Sequence, residues 1–333
     1  MAKFLIIRFS SIGDIVLTSP VVRCLKKQVP DAEVHFLVKD AFRPVVAHNP
    51  YIDKIHMLSH SWELMIEELI TEEYDYIIDL HHNAKTLRVK HALRKKKKKP
   101  RCFSFYKLNI RKYFYTAFKI NTLPKVHIVD RYMDTVKAFG VKNDGAGLDY
   151  FISKEEETNL KDIPGAHHAG YIACVIGAAH GTKRWPVHKW KEFCRQMNHP
   201  IILLGGPEDR AAGDEIAATD DMKVYNACGK FKLNESADLV RKARLVITND
   251  TGLMHIAAAY KKQIISLWGN TVPSFGMTPY YGFAPVSDVI LQVNKLWCRP
   301  CSKIGYGKCP LGHFKCMERI DPKDVIAWAG QRL

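Results

Sequence analysis

The sequence predicts an α/β protein built from two Rossmann-like domains. Its 333 residues exceed one ordinary core and fit two domains of roughly 150 residues each. Short apolar runs alternate with amphipathic runs in two series, which is typical of parallel sheets covered by helices on both faces. Four of the apolar runs lead into polar or glycine-rich turns, where ligands bind in open parallel sheets.

The first series defines a predicted N-terminal domain over residues 1–150. Its apolar runs predict strands over 4–8, 33–38, 52–57 and 74–80. Its amphipathic runs predict helices over 15–28, 43–48, 62–71, 109–120 and 127–139. Residues 144–170 are rich in glycine and proline and lack apolar periodicity, so we interpret them as the interdomain region.

The second series defines a predicted C-terminal domain over residues 165–320. Its strands are expected over 171–176, 200–204, 223–225, 243–248 and 263–267. Its helices are expected over 186–197, 210–218, 234–242 and 253–260. A last helix over 324–332 lies within residues 321–333, which we expect to pack back on the N-terminal domain.

The formal net charge of +16 is concentrated in one stretch. Residues 85–125, the basic segment, contain 15 Lys or Arg and no Asp or Glu. Its most basic part, residues 94–101, is expected to be a mobile loop because it cannot bury so many charges. A local patch of this kind suits an anionic partner such as phosphorylated lipid, a membrane surface or nucleic acid.

No apolar run in the sequence approaches the roughly 18–20 residues that span a bilayer. The N-terminus also lacks the longer apolar region and cleavage site of a signal peptide. We therefore expect a cytoplasmic protein that is peripheral on the inner face of the inner membrane.

Four of the nine cysteines cluster near the end of the chain, at Cys298, Cys301, Cys309 and Cys316. Their spacing is compatible with four thiolates around a structural zinc ion. The gaps after Cys301 are irregular for a zinc ribbon, so a latent disulfide and inert buried thiols stay open as alternatives. No cofactor is expected to be required beyond this possible zinc.

The first polar turn, residues 8–14, separates a predicted strand from a predicted helix. It is not the Gly-x-Gly-x-x-Gly fingerprint of dinucleotide-binding domains, which argues against a dehydrogenase. Gly13 would let the backbone approach a substrate closely, and Ser10 and Ser11 flank that position. Asp14 either caps the helix or faces a ligand as a general base.

Two further turns have the composition of phosphate-binding loops. Residues 177–186 place Thr182 and Lys183 before a helix, where exposed amides and the ammonium group would cradle phosphate. Residues 248–255 place the amides of Thr251 and Gly252 at another helix start. The alternatives are a solvated Lys183, a capping Asp250, a structural His255 and a core position for Trp185.

The fourth turn, residues 205–209, carries Glu208 just beyond a predicted strand. A carboxylate in that place can accept both hydroxyls of a ribose. Acidic residues are also common in first helical turns, so Glu208 alone is a weak signal.

Together the four turns resemble those of glycosyltransferase family 9, the heptosyltransferases of lipopolysaccharide core assembly, and the resemblance runs from Lys3 to about Ile320. It is carried by residues 10–14 (Ser-Ser-Ile-Gly-Asp), 183–186 (Lys-Arg-Trp-Pro), 206–208 (Gly-Pro-Glu) and 250–255 (Asp-Thr-Gly-Leu-Met-His). It implies a GT-B architecture, in which two Rossmann-like domains face each other across a cleft that holds the active site. The N-terminal domain would bind the acceptor and the C-terminal domain the nucleotide sugar.

The resemblance also implies residue roles and substrates. Asp14 matches the catalytic base, Lys183 a donor-phosphate contact and Glu208 the ribose contact. The pyrophosphate loop would contain Thr251 and Gly252, and the matching motifs add Thr182, Asp250 and His255 to the donor site and Ser10, Ser11 and Gly13 to the acceptor side. The donor would be ADP-heptose and the acceptor a lipid A/Kdo-type lipopolysaccharide core.

The expected chemistry is an inverting transfer that needs no metal. A base takes the proton of the acceptor hydroxyl, and cationic or amide donors stabilise the leaving diphosphate. The sequence contains no Asp-x-Asp triplet, the usual metal-holding signature of another transferase class, so Lys183 and a helix N-terminus would replace a metal ion.

Two alternatives stay open from the residues alone. A nucleic-acid-binding protein would use the aromatic and basic side chains of residues 103–115, although no nucleic acid is expected as a partner because no binding module is readable. The intact Asp14 and Lys183 argue against a nucleotide-sugar binder without transfer, and an epimerase of the same fold would not need the basic segment.

Overall fold

The computed structural model describes residues 2–58, 61–95 and 98–333. It divides into two compact units. The first unit contains Met1–Lys107, Val126–Ser153 and Gly282–Ala284. The second unit contains Leu108–Lys125, Lys154–Tyr281 and Pro285–Leu333.

Eleven strands and twelve α-helices are present among the described residues. The strands are Ala2–Ile7 (β1), Ala32–Lys39 (β2), Lys54–Leu58 (β3), Tyr76–Asp79 (β4), Arg101–Ser104 (β5), Ile172–Val175 (β6), Ile201–Leu204 (β7), Val224–Asn226 (β8), Leu245–Asn249 (β9), Ile264–Trp268 (β10) and Asp288–Gln292 (β11). The helices are Ile12–Val16 (α1), Ser19–Gln28 (α2), Trp62–Thr71 (α3), Ala84–Arg94 (α4), Asn109–Phe118 (α5), Ile128–Met133 (α6), Val187–Gln196 (α7), Arg210–Ala217 (α8), Leu233–Lys242 (α9), Gly252–Ala259 (α10), Lys315–Glu318 (α11) and Pro322–Gly330 (α12).

The first unit is built on a five-stranded parallel sheet with the order β3-β2-β1-β4-β5. The chain runs outward from β1 to β3 and then crosses back to β4, so the strand order reverses between β1 and β4. Loops leave the sheet in opposite directions at such a point and open a crevice at the carboxyl ends of the strands.

Both faces of the first sheet are covered, which explains why β1 is a continuous apolar run. Leu5 and Ile7 pack on one face against Leu69 of α3 and Val89 of α4. On the other face, the ring of Phe4 lies 4.9 Å from that of Tyr76 and 5.1 Å from that of Phe139. Alternate residues of a strand therefore supply two separate apolar layers.

The second unit has a six-stranded parallel sheet with the order β11-β10-β9-β6-β7-β8. Here the strand order reverses between β6 and β9. One face of the sheet carries an apolar cluster, in which strand residues such as Cys174 and Leu203 pack on Trp190 and Phe193 of α7. The carboxyl ends of β6 and β9 thus form the second expected crevice.

The structure confirms the predicted α/β class and most of the predicted strands, but several predicted boundaries are wrong. The predicted helix over 15–28 is two helices, because Pro20 lacks an N–H and lies in the first turn of α2. Helix α4 and strand β5 fall within the basic segment and were not predicted, and β11 was also missed.

The basic segment also contains more regular structure and more ion pairs than the sequence predicted. Asn83 and Thr86 cap α4 reciprocally, and buried Lys90 forms an ion pair with Asp79 at 2.6 Å. Lys98 forms an ion pair with Asp75 at 2.8 Å, within the stretch that was predicted to be a mobile loop. Lys96 and Lys97, which that prediction includes, lie outside the described residues.

The predicted domain boundaries need three corrections, and the shortest is Gly282–Ala284, which belongs to the first unit. Helix α5 belongs to the second unit, because Tyr115 packs edge-on against Phe275 and Lys119 Nζ donates to the carbonyl of Pro300 at 2.8 Å. Helix α12, expected on the N-terminal domain, instead places Val325 and Ala329 in the apolar core of the second unit. The amphipathic pattern of α12 predicted an apolar face, but it could not predict which unit that face packs against.

Across the part of the chain that the structure describes, no helix has the length and apolar character needed to cross a membrane.

Candidate active site

The polar turn after β1 surrounds a buried arginine. Arg8 Nη1 donates to the carbonyl of Leu80 at 2.6 Å and to the hydroxyl of Tyr132 at 3.0 Å, and its Nε donates to the carbonyl of Ser10. These contacts join the ends of β1 and β4 with α6. Arg8 is therefore held in one orientation at the point where the first strand order reverses.

Asp14 lies against this arginine. Its Oδ1 is 2.7 Å from Arg8 Nη2, and its Oδ2 accepts from Ser11 Oγ at 2.8 Å and from the Ser11 backbone N–H at 3.3 Å. The capping interpretation of Asp14 is thus confirmed. Because 21% of its side chain is still exposed, capping does not exclude a role as a base.

The other residues predicted in this turn differ in accessibility. Ser10 is half-buried and Ser11 is exposed at the N-terminus of α1. Gly13 is buried, and its carbonyl accepts from the N–H of Leu17 inside the helical turn. The close-approach role predicted for Gly13 stays a prediction.

Sequence reasoning missed His81, which follows β4 on the other side of the same crevice. Its ring lies 5.1 Å from that of Phe9, and its backbone N–H donates to Asp79. Burial, followed by the positive charges of Arg8 and Lys107, lowers the pKa of His81 to about 4. The imidazole is therefore neutral at physiological pH.

A second charged pair lies where the strand order of the second sheet reverses. Lys183 Nζ is 2.6 Å from Asp250 Oδ2, and Thr271 Oγ1 donates to the same oxygen at 2.8 Å. Only 17% of the Lys183 side chain and 12% of the Asp250 side chain are exposed. The structure thus brings together two predicted donor-site residues, and it shows Asp250 holding the lysine rather than capping α10.

Buried polar groups fix the loops on either side of this pair. Asn249 Nδ2 donates to the carbonyls of Val175 and Ile176, while its Oδ1 accepts from the N–H of Trp185 at 3.1 Å. Trp185 lies in the apolar core, as its alternative interpretation predicted. The end of β9 is thereby joined to the end of β6 and to the start of α7.

Asp209 supports the adjacent turn after β7. It forms an ion pair with Arg184 at 2.9 Å and accepts from the N–H of Gly206 at 2.9 Å. Burial raises the pKa of its carboxyl group, against the lowering effect of Arg184. A Cβ on Gly177 would lie 2.1 Å from Asp209 Oδ2, so glycine is required where the two loops approach each other.

The remaining predicted donor-site residues separate into accessible and inaccessible ones. Thr251 and Gly252 are half-buried at the N-terminus of α10, and Glu208 is exposed after β7. His255 is 3% exposed within α10, which agrees with its structural interpretation. The Thr182 hydroxyl is buried and bonds to the backbone N–H and carbonyl of Tyr306, so its predicted contact with the donor is wrong for the side chain.

The four C-terminal cysteines are free thiols that lie near one another. Burial raises the pKa of Cys301 and raises that of Cys316 to about 12, and the neighbouring thiols add to both shifts. Within the described residues, no three of these sulfur atoms lie within 4.8 Å of one another. Structural zinc at this cluster stays a prediction.

Comparison with known proteins identifies the family. The sequence model of glycosyltransferase family 9 (heptosyltransferase) matches residues 62–308, which is most of the chain. The chain belongs to glycosyltransferase family 9. The family 9 assignment favours sugar transfer over the nucleic-acid-binding and epimerase alternatives, and it confirms the resemblance found in the sequence.

Relatives cover most or nearly all of this family 9 protein. Lipooligosaccharide heptosyltransferase 2 of Haemophilus influenzae is 27% identical over 321 residues, covering 86% of each chain. The structure of ADP-heptose lps heptosyltransferase II of E. coli has a TM-score of 0.75 at 20% identity and covers 99% of this chain and 98% of that one. A family 9 glycosyl transferase from Veillonella parvula has a TM-score of 0.78 at 22% identity, with coverage of 99% and 96%. The two structures confirm the predicted GT-B fold.

The neutral, buried His81 gives a testable pH dependence of stability. Its pKa falls from 6.5 to about 4 on folding, so between these values the unfolded chain binds the extra proton. Stability should therefore fall as the pH is lowered through this window. We expect the His81→Asn variant to lose less unfolding free energy than wild type between pH 6.5 and 4, measured by urea denaturation.

The exposed His188 provides the matched control for this comparison. The His188→Asn variant should follow the wild-type pH profile. A His81→Asn profile parallel to wild type would show that His81 does not contribute to this pH dependence.

Proposed function

We propose that this family 9 glycosyltransferase moves a heptose from ADP-heptose to a phosphorylated lipopolysaccharide core acceptor of the lipid A/Kdo type, with inversion at the anomeric carbon. The observation that carries the proposal is the Lys183–Asp250 pair beside the N-terminus of α10, at the strand reversal of the second sheet. The donor name in the E. coli relative supports ADP-heptose as the sugar donor.

The second unit would bind the nucleotide diphosphate. An ammonium group has three donors, and Asp250 accepts one of those of Lys183, so the others can contact phosphate oxygens. The first-turn amides of α10 add positive potential beside Thr251 and Gly252. Exposed Glu208 at the end of β7 would accept the ribose hydroxyls.

The first unit would activate the acceptor through Asp14. The acceptor hydroxyl oxygen attacks the anomeric carbon, and the bond between that carbon and the diphosphate oxygen breaks. The hydroxyl proton passes to the Asp14 carboxylate, whose negative charge Arg8 compensates at 2.7 Å. Attack opposite the leaving group inverts the anomeric configuration.

Negative charge grows on the departing ADP in the transition state, and Lys183 with the α10 amides would stabilise it. These groups can supply the positive charge that a metal ion supplies in other transferases. We therefore propose that transfer proceeds without a metal cofactor.

We further propose a cytoplasmic enzyme that docks on the anionic inner leaflet through the basic segment and α5. Large apolar side chains of α5 face solvent, with Ile110 73%, Tyr113 57% and Phe118 58% exposed. Arg111 and Lys112 alternate with them along the helix. A helix with this pattern inserts its apolar side chains between headgroups while its cations contact anionic lipids.

The Asp14→Asn variant tests the base. It should keep its fold and its affinity for ADP but lose turnover by about 100-fold or more, because the amide cannot take the acceptor proton. Turnover is measured as ADP release with a Kdo-lipid A acceptor. Asp40 is exposed and lies just after β2 at the same sheet edge. The Asp40→Asn variant is therefore the control, and its turnover should equal that of wild type. Near-normal turnover of Asp14→Asn would refute the assignment.

The donor site is tested with Lys183→Ala and Glu208→Ala. Each change removes a charge-assisted contact, so calorimetry should show ADP binding weaker by about tenfold or more. Only Lys183→Ala should also reduce kcat strongly, because it contacts the charge that develops on the leaving group.

Two exposed positions in the same unit, changed in Lys323→Ala and Glu215→Ala, are the matched controls and should leave ADP affinity unchanged. Unchanged affinity in both Lys183→Ala and Glu208→Ala would contradict the proposed donor contacts.

Membrane docking is tested by sedimentation with neutral and anionic liposomes. The Ile110→Ser/Phe118→Ser variant should bind anionic liposomes several-fold more weakly than wild type, and binding of wild type should decrease with salt. A control variant, Leu64→Ser/Met222→Ser, changes equally exposed apolar residues elsewhere and should bind like wild type. Equal binding of all three proteins, or no preference for anionic lipid, would contradict docking through α5.

A further inference from the structure

Two buried histidines of the first unit face each other beneath α3, away from the turn that carries Asp14. His35 is the fourth residue of β2 and His56 the third residue of β3, and they are 1% and 1% exposed. His35 Nδ1 lies 3.1 Å from His56 Nε2. The hydroxyl of buried Tyr74 lies 2.9 Å from each of these two nitrogens.

Each imidazole is held from its outer side by a carboxylate. Glu33 Oε1 lies 2.8 Å from His35 Nε2, and Glu68 Oε1 lies 2.8 Å from His56 Nδ1. An ionised carboxylate only accepts hydrogen bonds, so both outer nitrogens carry the proton. In neutral rings, the two inner nitrogens therefore present lone pairs to each other.

This arrangement favours a cation between the two rings. The single proton of the Tyr74 hydroxyl can be donated to only one of the two inner lone pairs at a time. The charged side chains around the two rings are two lysines, Lys3 and Lys54, and three glutamates, Glu33, Glu68 and Glu72. The glutamates therefore exceed the lysines by one negative charge.

The donor atoms have the spacing of a metal-binding set. Glu72 Oε2 lies 3.8 Å from His35 Nδ1, and one atom each of His35, His56 and Glu72 lies within 4.8 Å of the others. Ligands about 2.0–2.1 Å from a tetrahedral zinc ion are roughly 3.3–3.4 Å apart. The distances between inner atoms, 2.9, 3.1 and 3.8 Å, bracket that value.

We propose that His35, His56 and Glu72, with Tyr74 beside them, form a structural site for a divalent transition metal such as Zn²⁺. Glu33 and Glu68 would be the outer carboxylates that orient metal-bound imidazoles in proteins. Lys3 and Lys54 donate to Glu72 at 2.8 and 2.6 Å and hold its carboxylate in place. The ion would tie β2 and β3 to the last turn of α3, behind the sheet that carries Asp14.

The test measures zinc in the purified full-length protein after growth with added zinc, using His56→Gln as the ligand variant. Wild type should contain one zinc equivalent more than His56→Gln. The Cys298→Ser/Cys309→Ser variant separates this site from the C-terminal thiols and should keep that equivalent. Glu68→Gln leaves all ligands in place and should weaken zinc affinity about 10- to 100-fold.

Cobalt substitution and thermal melting identify the ligands independently of zinc content. Co²⁺ added to the Cys298→Ser/Cys309→Ser variant should give visible bands without thiolate charge-transfer absorption, and those bands should be absent in His56→Gln. Zn²⁺ should raise the Tm of wild type, and a chelator should reverse the rise. Equal zinc content in wild type and His56→Gln, together with a Tm that does not change with Zn²⁺, would overturn the proposal. A shared proton, and not a metal ion, would then lie between His35 Nδ1 and His56 Nε2.

Discussion

The strand order of each sheet imposes the constraint on which the rest of this molecule depends. In both units the chain runs outward from a central strand and then crosses back, so that neighbouring strands β1 and β4, and β6 and β9, send their loops in opposite directions. Asp14, Lys183 and Asp250, to which we assign roles in transfer under the proposed function, lie in or directly after those loops. Without this reversal, Lys183 and Asp250 would belong to unrelated turns 67 residues apart in sequence.

Each reversal is stabilised by a buried cation or amide that joins two strand ends. Arg8 joins the ends of β1 and β4 and compensates Asp14, while Asn249 joins the ends of β6 and β9 below the Lys183–Asp250 pair. Fixed donors of this kind do not have to reorganise as charge develops, which is the basis of electrostatic catalysis. Asp14, Lys183 and Asp250 are half-buried, whereas Arg8 and Asn249 are buried.

The sequence predicted the features that depend on local pattern. Strands such as β1 and β6 are buried on both faces, and their uninterrupted apolar runs identify them. The ends of these strands located Asp14 and Lys183. Features that depend on distant partners could not be predicted in the same way. Buried Lys90 contacts Asp79 and Ser104, and Thr182 bonds to Tyr306 in a loop 124 residues away. The pair of His35 and His56 could not be predicted for the same reason, because their partners come from several different elements.

The most direct measurement is the mass of the product formed from a panel of ADP-, GDP- and UDP-linked sugars with a Kdo-lipid A acceptor. The account predicts that ADP-heptose alone supports efficient transfer and that the acceptor gains one heptose. NMR of the product should show an anomeric configuration opposite to that of the donor. Transfer from a different nucleotide sugar, or retention of the donor configuration, would contradict it.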